Sequence, residues 1–266
     1  MNDIEEAFHQ YFEIVTANTP ELLKEAFSLR FHVLCVDNAI PGFNSENYPD
    51  RREVDEYDHR SIHILLRHRP TGTFIGTARL VLPDIQNLEN KFPVETYSRF
   101  FPEFTLNTAF RQHTAEISRF FLVNNFFKRK NEIGMLSLPI NTDSNMQERR
   151  RFPHPMLGLA VGVIRLCKQH EIYYWLSSMP PALNRLLGLY SMQLNPVGPL
   201  INHHGLRSPY HVCLLDVLDR IYRDQRAIWE LVTDHGNIWP ADLAFLRQQN
   251  RRQPAGYDSA CISGNQ

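Results

Sequence analysis

The sequence predicts an α+β domain built round one central sheet. Three observations carry this. A hairpin signal spans residues 61 to 83, a further strand-like run, EISRFFLV, spans 116–123, and helix-patterned segments flank both. The elements alternate without any internal repeat.

Taken in order, Thr19-Pro20-Glu21 opens the first helix, with Thr19 as N-cap, a proline in the first turn and an early acid. Leu23, Ala26, Phe27 and Leu34 fall on one face of it. Residues 35 to 60 read as irregular, broken by Pro41-Gly42, Asn44, Ser45 and Pro49. SIHILLRHR (61–69) and TFIGTARLVLP (73–83) are paired strands about the turn Pro70-Thr71-Gly72, and Pro83 ends the second. Residues 124–153 are polar and basic and are expected to form a flap. Pro155 to His170 is apolar nearly all round and reads as a buried helix. Ile172 to Leu176 is a short strand stopped by Pro180-Pro181, and Ala182 to Met192 a helix. Segments 194–202 and 209–216 suggest a strand pair across Asn202-His203-His204-Gly205. A helix over 217–234 and a short one after Pro240 complete the pattern. The expected organisation is one domain over 1–248 and a disordered tail over 249–266.

Bulk properties narrow the function. Of 266 residues, 43% are hydrophobic and 21% charged, with a formal net charge of -1, which argues against disorder and against a nucleic-acid binder. Cys35, Cys167, Cys213 and Cys261 form no C-x-x-C pair and suit a reducing compartment. Cys167 reads as core filler. The N-terminal stretch is acidic and lacks a signal-peptide pattern, and the longest apolar run falls short of the ~20 residues a membrane span needs. The expectation is a cytoplasmic protein without a membrane span.

Charges in apolar contexts mark the candidate site. Arg30 continues the apolar stripe of the first helix, Arg79 stands mid-strand between Ala78 and Leu80, and Arg119 lies between Ser118 and Phe120. Buried guanidinium groups require carboxylate partners. Asp55, Asp58 and Glu116 are the candidates, although each charge taken alone also fits a sheet edge or surface. Strict alternation places Glu116 and Arg119 on opposite strand faces, so a shared site predicts a bulge between 117 and 124.

The segments LRFHVLCV (29–36), VDEYD (54–58), GTARLVL (76–82) and EISRFFLV (116–123) resemble, in order and spacing, the acyl-homoserine-lactone (autoinducer) synthases and the long-chain N-acyl amino acid synthases. The phrasing YFEIV, PDRREVDEYD and HILLRHRPTG is most similar to the acyltransferase group associated with the PEP-CTERM/exosortase system. The resemblance covers roughly residues 10 to 220. It implies a GNAT-like acyl-CoA N-acyltransferase fold, a twisted mixed sheet whose central strands splay to admit a pantetheine arm. It carries Arg30, Asp55, Asp58, Arg79, Glu116 and Arg119 onto the family's charged cluster on the amine-acceptor side.

Acyl transfer from a thioester to an amine needs a proton acceptor and donors for the developing oxyanion. Glu116 is the candidate base, with Arg119 beside it. The backbone of Phe121, Leu122 and Val123 is the candidate oxyanion site, and Arg79 or Arg119 suits an acceptor carboxylate. Phe120, Phe121, Tyr174 and Trp175 are core residues by default and an acyl-tunnel wall as the alternative.

Two departures from the family matter. Leu34 and Ile40 stand where autoinducer synthases carry aromatics, with Phe31 and Phe43 out of register, which argues for an amino acid or other small amine over S-adenosylmethionine. The phosphate-cradling Q/R-x-x-G-x-G/A turn is replaced by NNFFKRKNEIGML. That favours an acidic acyl carrier protein as donor, met by Lys128, Arg129, Lys130, Arg149, Arg150 and Arg151, unless these form only a solvated flap. No metal or permanently bound cofactor is expected; the acyl-phosphopantetheine thioester is a co-substrate. An autoinducer-synthase-like enzyme, a short-chain acetyl-CoA acetyltransferase and a non-catalytic acyl-binding module are the alternatives. His203-His204 read as an exposed turn.

Overall fold

Residues 61 to 81 alternate between two environments, and the sheet is laid out accordingly. The computed structural model describes residues 2–38, 40–106, 108–123 and 155–251, the side chains of 249–251 excepted. Strands β2 (Ser61–His68) and β3 (Thr73–Val81) pair antiparallel as the expected hairpin, with His63 opposite Arg79 and Ile64 opposite Ala78. Strand β1 (Phe12–Thr16) joins the outer edge of β2, and β4 (Thr114–Leu122) the inner edge of β3. Strand β5 (Tyr174–Met179) runs parallel to β4, while β6 (Asn195–Pro196), β7 (Ile201–Asn202) and β8 (Leu206–Cys213) follow antiparallel, giving the order β1-β2-β3-β4-β5-β8-β6 with β7 on β8.

The nine described α-helices cover the two faces unequally. They are α1 (Asp3–Tyr11), α2 (Pro20–Phe31), α3 (Pro93–Tyr97), α4 (Thr108–Arg111), α5 (Pro155–Gln169), α6 (Pro181–Gly188), α7 (Leu214–Asp224), α8 (Arg226–Thr233) and α9 (Ala244–Arg251). The apolar α5 is buried against Ile64, Leu66, Ala78 and Leu80 of the sheet. Glycines let it sit close: a Cβ at Gly158 would stand 2.7 Å from the Leu66 side chain. Each of these fully buried aliphatic side chains contributes about 1.5–3 kcal/mol, so this face holds the fold together. On the opposite face, Ala26 and Leu29 of α2 and Val33 of the π-helical turn that follows it (His32–Asp37) cover Leu65, and the chain around α3 covers Val81 and Leu176 with Phe92 and Val94. Arg79 lies between those two apolar patches in sequence and on the same strand face.

The junction of β4 and β5 positions the site. They pair only from Thr114 to Glu116 against Tyr174 to Leu176. Beyond that, β4 stays with β3 to Leu122, while β5 follows β8 to the pair Met179–Ser208. A wedge therefore opens in the sheet. Ser177 Oγ donates to the Ile117 carbonyl at 2.9 Å at its closed end.

Several boundaries differ from the sequence reading. Helix α1 and strand β1 were not anticipated, because the short segment 12–16 carries only one fully buried side chain, Phe12. Strand β5 starts at Tyr174, two residues later than expected. The 194–202 strand is two short pieces interrupted by Gly198 and Pro199, where proline removes a ladder donor. Strand β8 ends at Cys213, and the single helix expected over 217–234 is α7 and α8, parted at Gln225 (φ -141°). The apolar stripe reads straight through that break, from Ile221 to Ile228 and Trp229, so periodicity hides it. Helix α9 runs through Arg251 into the expected tail. The flap at 124–153 and residues 252–266 lie outside the described residues. Among the described residues no helix is long and apolar enough to cross a membrane.

Candidate active site

A bulge in β4 builds the site. Arg79 pairs with Ser118 and Thr77 with Phe121, so Arg119 and Phe120 together stand opposite Ala78. Arg119 takes a left-handed conformation, φ 51°. The extra residue resets the alternation: Arg119 joins Glu116, Ser118 and Arg79 on one face, while Phe120 turns toward α5. The expected bulge is present where it was placed.

Around Arg119 the chain assembles a balanced ionic network. Arg30 donates through Nε to Glu53 at 2.5 Å and through both terminal nitrogens to Asp58 at 2.7 and 3.0 Å. Arg79 reaches Ser118 Oγ at 2.9 Å, Asp55 at 2.5 Å and Asp58 at 2.8 Å. Arg119 grips Glu53 with two nitrogens, at 3.0 and 2.7 Å, and Asp55 at 3.0 Å. Arg30 and Arg79 are fully buried, and Asp55 keeps 26% of its side chain exposed. Burial opposes charge on Glu53, but Arg119 and Arg30 outweigh it and hold the acid at about 2. Asp58 is likewise held low, burial being overcome by Arg30 and Arg79. His63, under the network beside Asp58, is driven down to about 4 by burial and by Arg30, and is neutral.

The third acid differs from the expected one. Glu53, not Glu116, completes the network with Asp55 and Asp58. Its position among the alternating charges of PDRREVDEYD, two residues before Asp55, was the available signal. Because Arg30, Arg79 and Arg119 are engaged by these acids, the expectation that Arg79 or Arg119 is free for an acceptor carboxylate is corrected.

Glu116 sits apart, on the same face but beneath α3. It is 3% exposed, and its Oε2 accepts from the Val94 amide at 2.7 Å. Burial raises its carboxyl to about 7, against the opposing pull of that amide and of Arg79 and Arg119.

On the α5 side of the wedge an apolar cavity of about 40 Å³ is lined by Ile117, Phe120, Trp175, Leu183, Leu187 and Met192 among others. Trp175 and Phe120 thus line it, and Trp175 also donates to the Cys167 sulfur. Cys167 is buried, with its thiol pushed up to about 12. Phe121 and Val123 instead pack with α2's cluster, and Tyr174 stacks on His211. A larger depression, about 400 Å³, is a charged groove on α7 and contains none of the network.

Only one of the three expected oxyanion amides faces the wedge. Val123 donates to the Ile75 carbonyl at 2.9 Å, making that a hydrogen-bonded pair. Leu122 opposite Gly76 is then the intervening non-bonded pair, its amide directed away from β3 toward the side β5 has left. Phe121 and Val123 turn theirs to β3. The expectation for those two is corrected.

The β7–β8 turn closes over Arg119. Phe43 lies under the Arg119 guanidinium at 5.3 Å and against His204 at 4.6 Å, and His203 stacks on Tyr97 at 4.4 Å. His204 Nδ1 is 2.6 Å from the Pro41 carbonyl. The two histidines are therefore part of the site wall, not a free turn, and Phe43 belongs with them. Lys128, Arg129, Lys130, Arg149, Arg150 and Arg151 lie outside the described residues.

Comparison with known proteins bears on the fold that carries this site. Residues 29–137, less than half of the chain, match the acetyltransferase (GNAT) domain. The fold is similar to that of BjaI, a CoA-dependent acyl-homoserine lactone synthase solved with SAM and isopentyl-CoA, at 18% identity over 87% of this chain and 90% of that one, TM-score 0.51. It is similar also to TofI in a ternary complex with an inhibitor and MTA, at 14% identity over 80% and 96% of the two chains, TM-score 0.53. No curated protein matches the sequence. The mixed sheet and the matched domain define a GNAT-fold enzyme. It is an acyltransferase of the N-acyl-transferring type.

Proposed function

We propose that this enzyme transfers an acyl group, of long chain, from a phosphopantetheine thioester to the amine of a small molecule such as an amino acid. One observation carries the reading: β4 and β5 part after Glu116, with the Leu122 amide directed into the gap and a small apolar cavity, lined by Ile117 and Phe120, on the α5 side of it. A thioester laid in the wedge has its carbonyl oxygen toward that amide, which stabilises negative charge as it develops; its acyl chain starts at the cavity, which at about 40 Å³ holds only a small part of a long chain, and the remainder runs along the wedge. The neutral amine attacks the carbonyl carbon, a C–N bond forms and the C–S bond breaks. The amine proton passes through a relay of several waters to Glu116, six residues back along β4 from Leu122, and is returned to the departing thiolate. A carboxylate with its proton affinity near 7 suits that task. The ionic network holds the 53–58 loop and the bulge in register; its role is to position, with Arg119 and Asp55 bordering the acceptor side.

An acyl carrier protein is the favoured donor, since the sequence after β4 lacks the glycine turn that brings backbone amides to a pyrophosphate. The test supplies acyl carrier protein and CoA thioesters of graded length with a panel of amino acids and amines, and follows free thiol release and N-acyl products by mass spectrometry. Long-chain N-acyl products from the carrier-protein thioester are expected. No product with any acceptor, and thioester unconsumed, would sink the reading.

A further inference from the structure

The network at the β4 bulge is neutral: Arg30, Arg79 and Arg119 face Glu53, Asp55 and Asp58. A fourth guanidinium adjoins it. Arg207, on β8, lies on the same sheet face as Arg79 and Ser118, because the β5–β8 register puts Pro209 and His211 on that face with Ser178 and Leu176. It therefore stands across the open wedge from Arg119, and the two charges repel each other. Among the described residues no carboxylate lies within ion-pair distance of Arg207. Its Nη2 donates to the His204 carbonyl at 2.8 Å, and its Nε is buried without an acceptor. A half-buried guanidinium keeps its charge, and a buried N–H left unpaired is destabilising unless something arrives to accept it.

We infer that Arg207 is the anchor for a carboxylate on the acceptor, so that the enzyme selects α-amino acids over amines that lack the acid group. This rests on the acyltransferase reading above and deepens it. A carboxylate bonded to the accessible part of the Arg207 guanidinium offsets the excess positive charge. Asp55, the most exposed acid of the network, offers the opposite charge to the ammonium end of the same molecule before it loses its proton. Tyr97, stacked on His203, and Phe43, tilted against His204, supply apolar walls. A zwitterion matches this polarity; a simple alkylamine does not.

The experiment compares proteinogenic amino acids with their α-amides, using wild type, Arg207→Gln and Arg207→Lys. Steady-state KM and kcat are measured for acceptor and donor separately, and acceptor binding is measured without donor by saturation-transfer NMR. Wild type is expected to prefer the acid over its amide by about tenfold or more, as loss of a charge-assisted bidentate contact implies. Arg207→Gln is expected to remove that preference by raising KM for the acid alone, with Arg207→Lys recovering part of it. Equal use and equal binding of acid and amide by wild type would overturn the inference. So would a rise in donor KM alone, which assigns Arg207 to the phosphate of the pantetheine arm. If no amine is acylated, the acyltransferase reading fails, and the NMR comparison of acid and amide still decides whether Arg207 holds a carboxylate. Near-UV circular dichroism checks that both variants fold.

Discussion

Arg119 binds both oxygens of Glu53, at 3.0 and 2.7 Å, from a strand position whose backbone is left-handed. The two residues are 66 apart in sequence, and Glu53 at the same time accepts from Arg30 of helix α2. One carboxylate thus ties the bulge of β4, the loop before β2 and the end of α2 together. Left-handed backbone is unfavourable for arginine, so the ion pairs and the register must hold it there.

Glu53→Gln should be among the most destabilising single changes on this face. It removes the negative charge shared by Arg30 and Arg119 and turns an NH2 donor against one of these guanidiniums, and breaking such a buried pair typically costs about 3–5 kcal/mol. Urea denaturation at neutral pH measures it. A loss no greater than that at an exposed acid such as Asp50 would contradict the network's structural role.

The same residue sets an acid dependence. Its folded value, about 2, lies below the ordinary 4.5, so the native state binds the proton less readily than the unfolded chain. The stabilisation is full above 4.5 and is lost as pH falls from there toward 2. Wild type should therefore lose stability across that window, and Glu53→Gln should lose less. Parallel slopes for the two proteins would refute the assignment.

Glu116 titrates the other way. Burial raises it to about 7, so folding favours its protonated form; that advantage is complete below 4.5 and disappears as pH rises through 7. As the base, it should give an acid limb in kcat/KM with a midpoint near 7. Glu116→Gln should abolish the limb and lower the rate by about 10²–10⁴. The variant should also gain stability relative to wild type above pH 7. An unchanged pH–rate profile would remove Glu116 from the proton transfer.

Filling the cavity should shorten the donor. Leu187→Trp places a larger side chain in the wall opposite Phe120 and Trp175. It is expected to cut kcat/KM for long acyl chains by at least about tenfold, a few methylenes at about 0.8 kcal/mol each, while sparing acetyl transfer. A uniform loss at every chain length would show that the cavity does not hold the acyl group.

Arg119→Lys tests the two-point grip. Lysine keeps the charge but offers no planar fork, and the lost contacts to Glu53 and Asp55 should destabilise by about 1.5–3 kcal/mol. Differential scanning calorimetry reads this directly; an unchanged Tm would mean that charge alone suffices.

Local chemistry declared much of this in advance. The hairpin turn Pro70-Thr71-Gly72, the N-cap Thr19 and the apolar α5 are local or periodic signals, and each element stands where they place it. Arg30, Arg79 and Arg119 were conspicuous because a guanidinium inside an apolar run must be paired. The bulge followed from counting alternation between Glu116 and Arg119. Which acid completes the network did not follow, since Glu53 and Glu116 are equally acidic in sequence and only the fold separates one among guanidiniums from one under α3.

The sequence alone determined most of the element types and the presence of buried arginines, because periodicity, turn residues and misplaced charge act over a few residues; the mixed sheet was implied by the family resemblance, and α1 and β1 left no such signal. Tertiary structure alone decided that β4 and β5 part after Glu116, that Leu122 turns its amide into the gap, and that His203, Phe43 and Arg207 meet beside Arg119. Those relations depend on register and on chain segments from 46 to 161 residues apart, Gly76 to Leu122 and Phe43 to His204, and no local pattern encodes a distance of that kind.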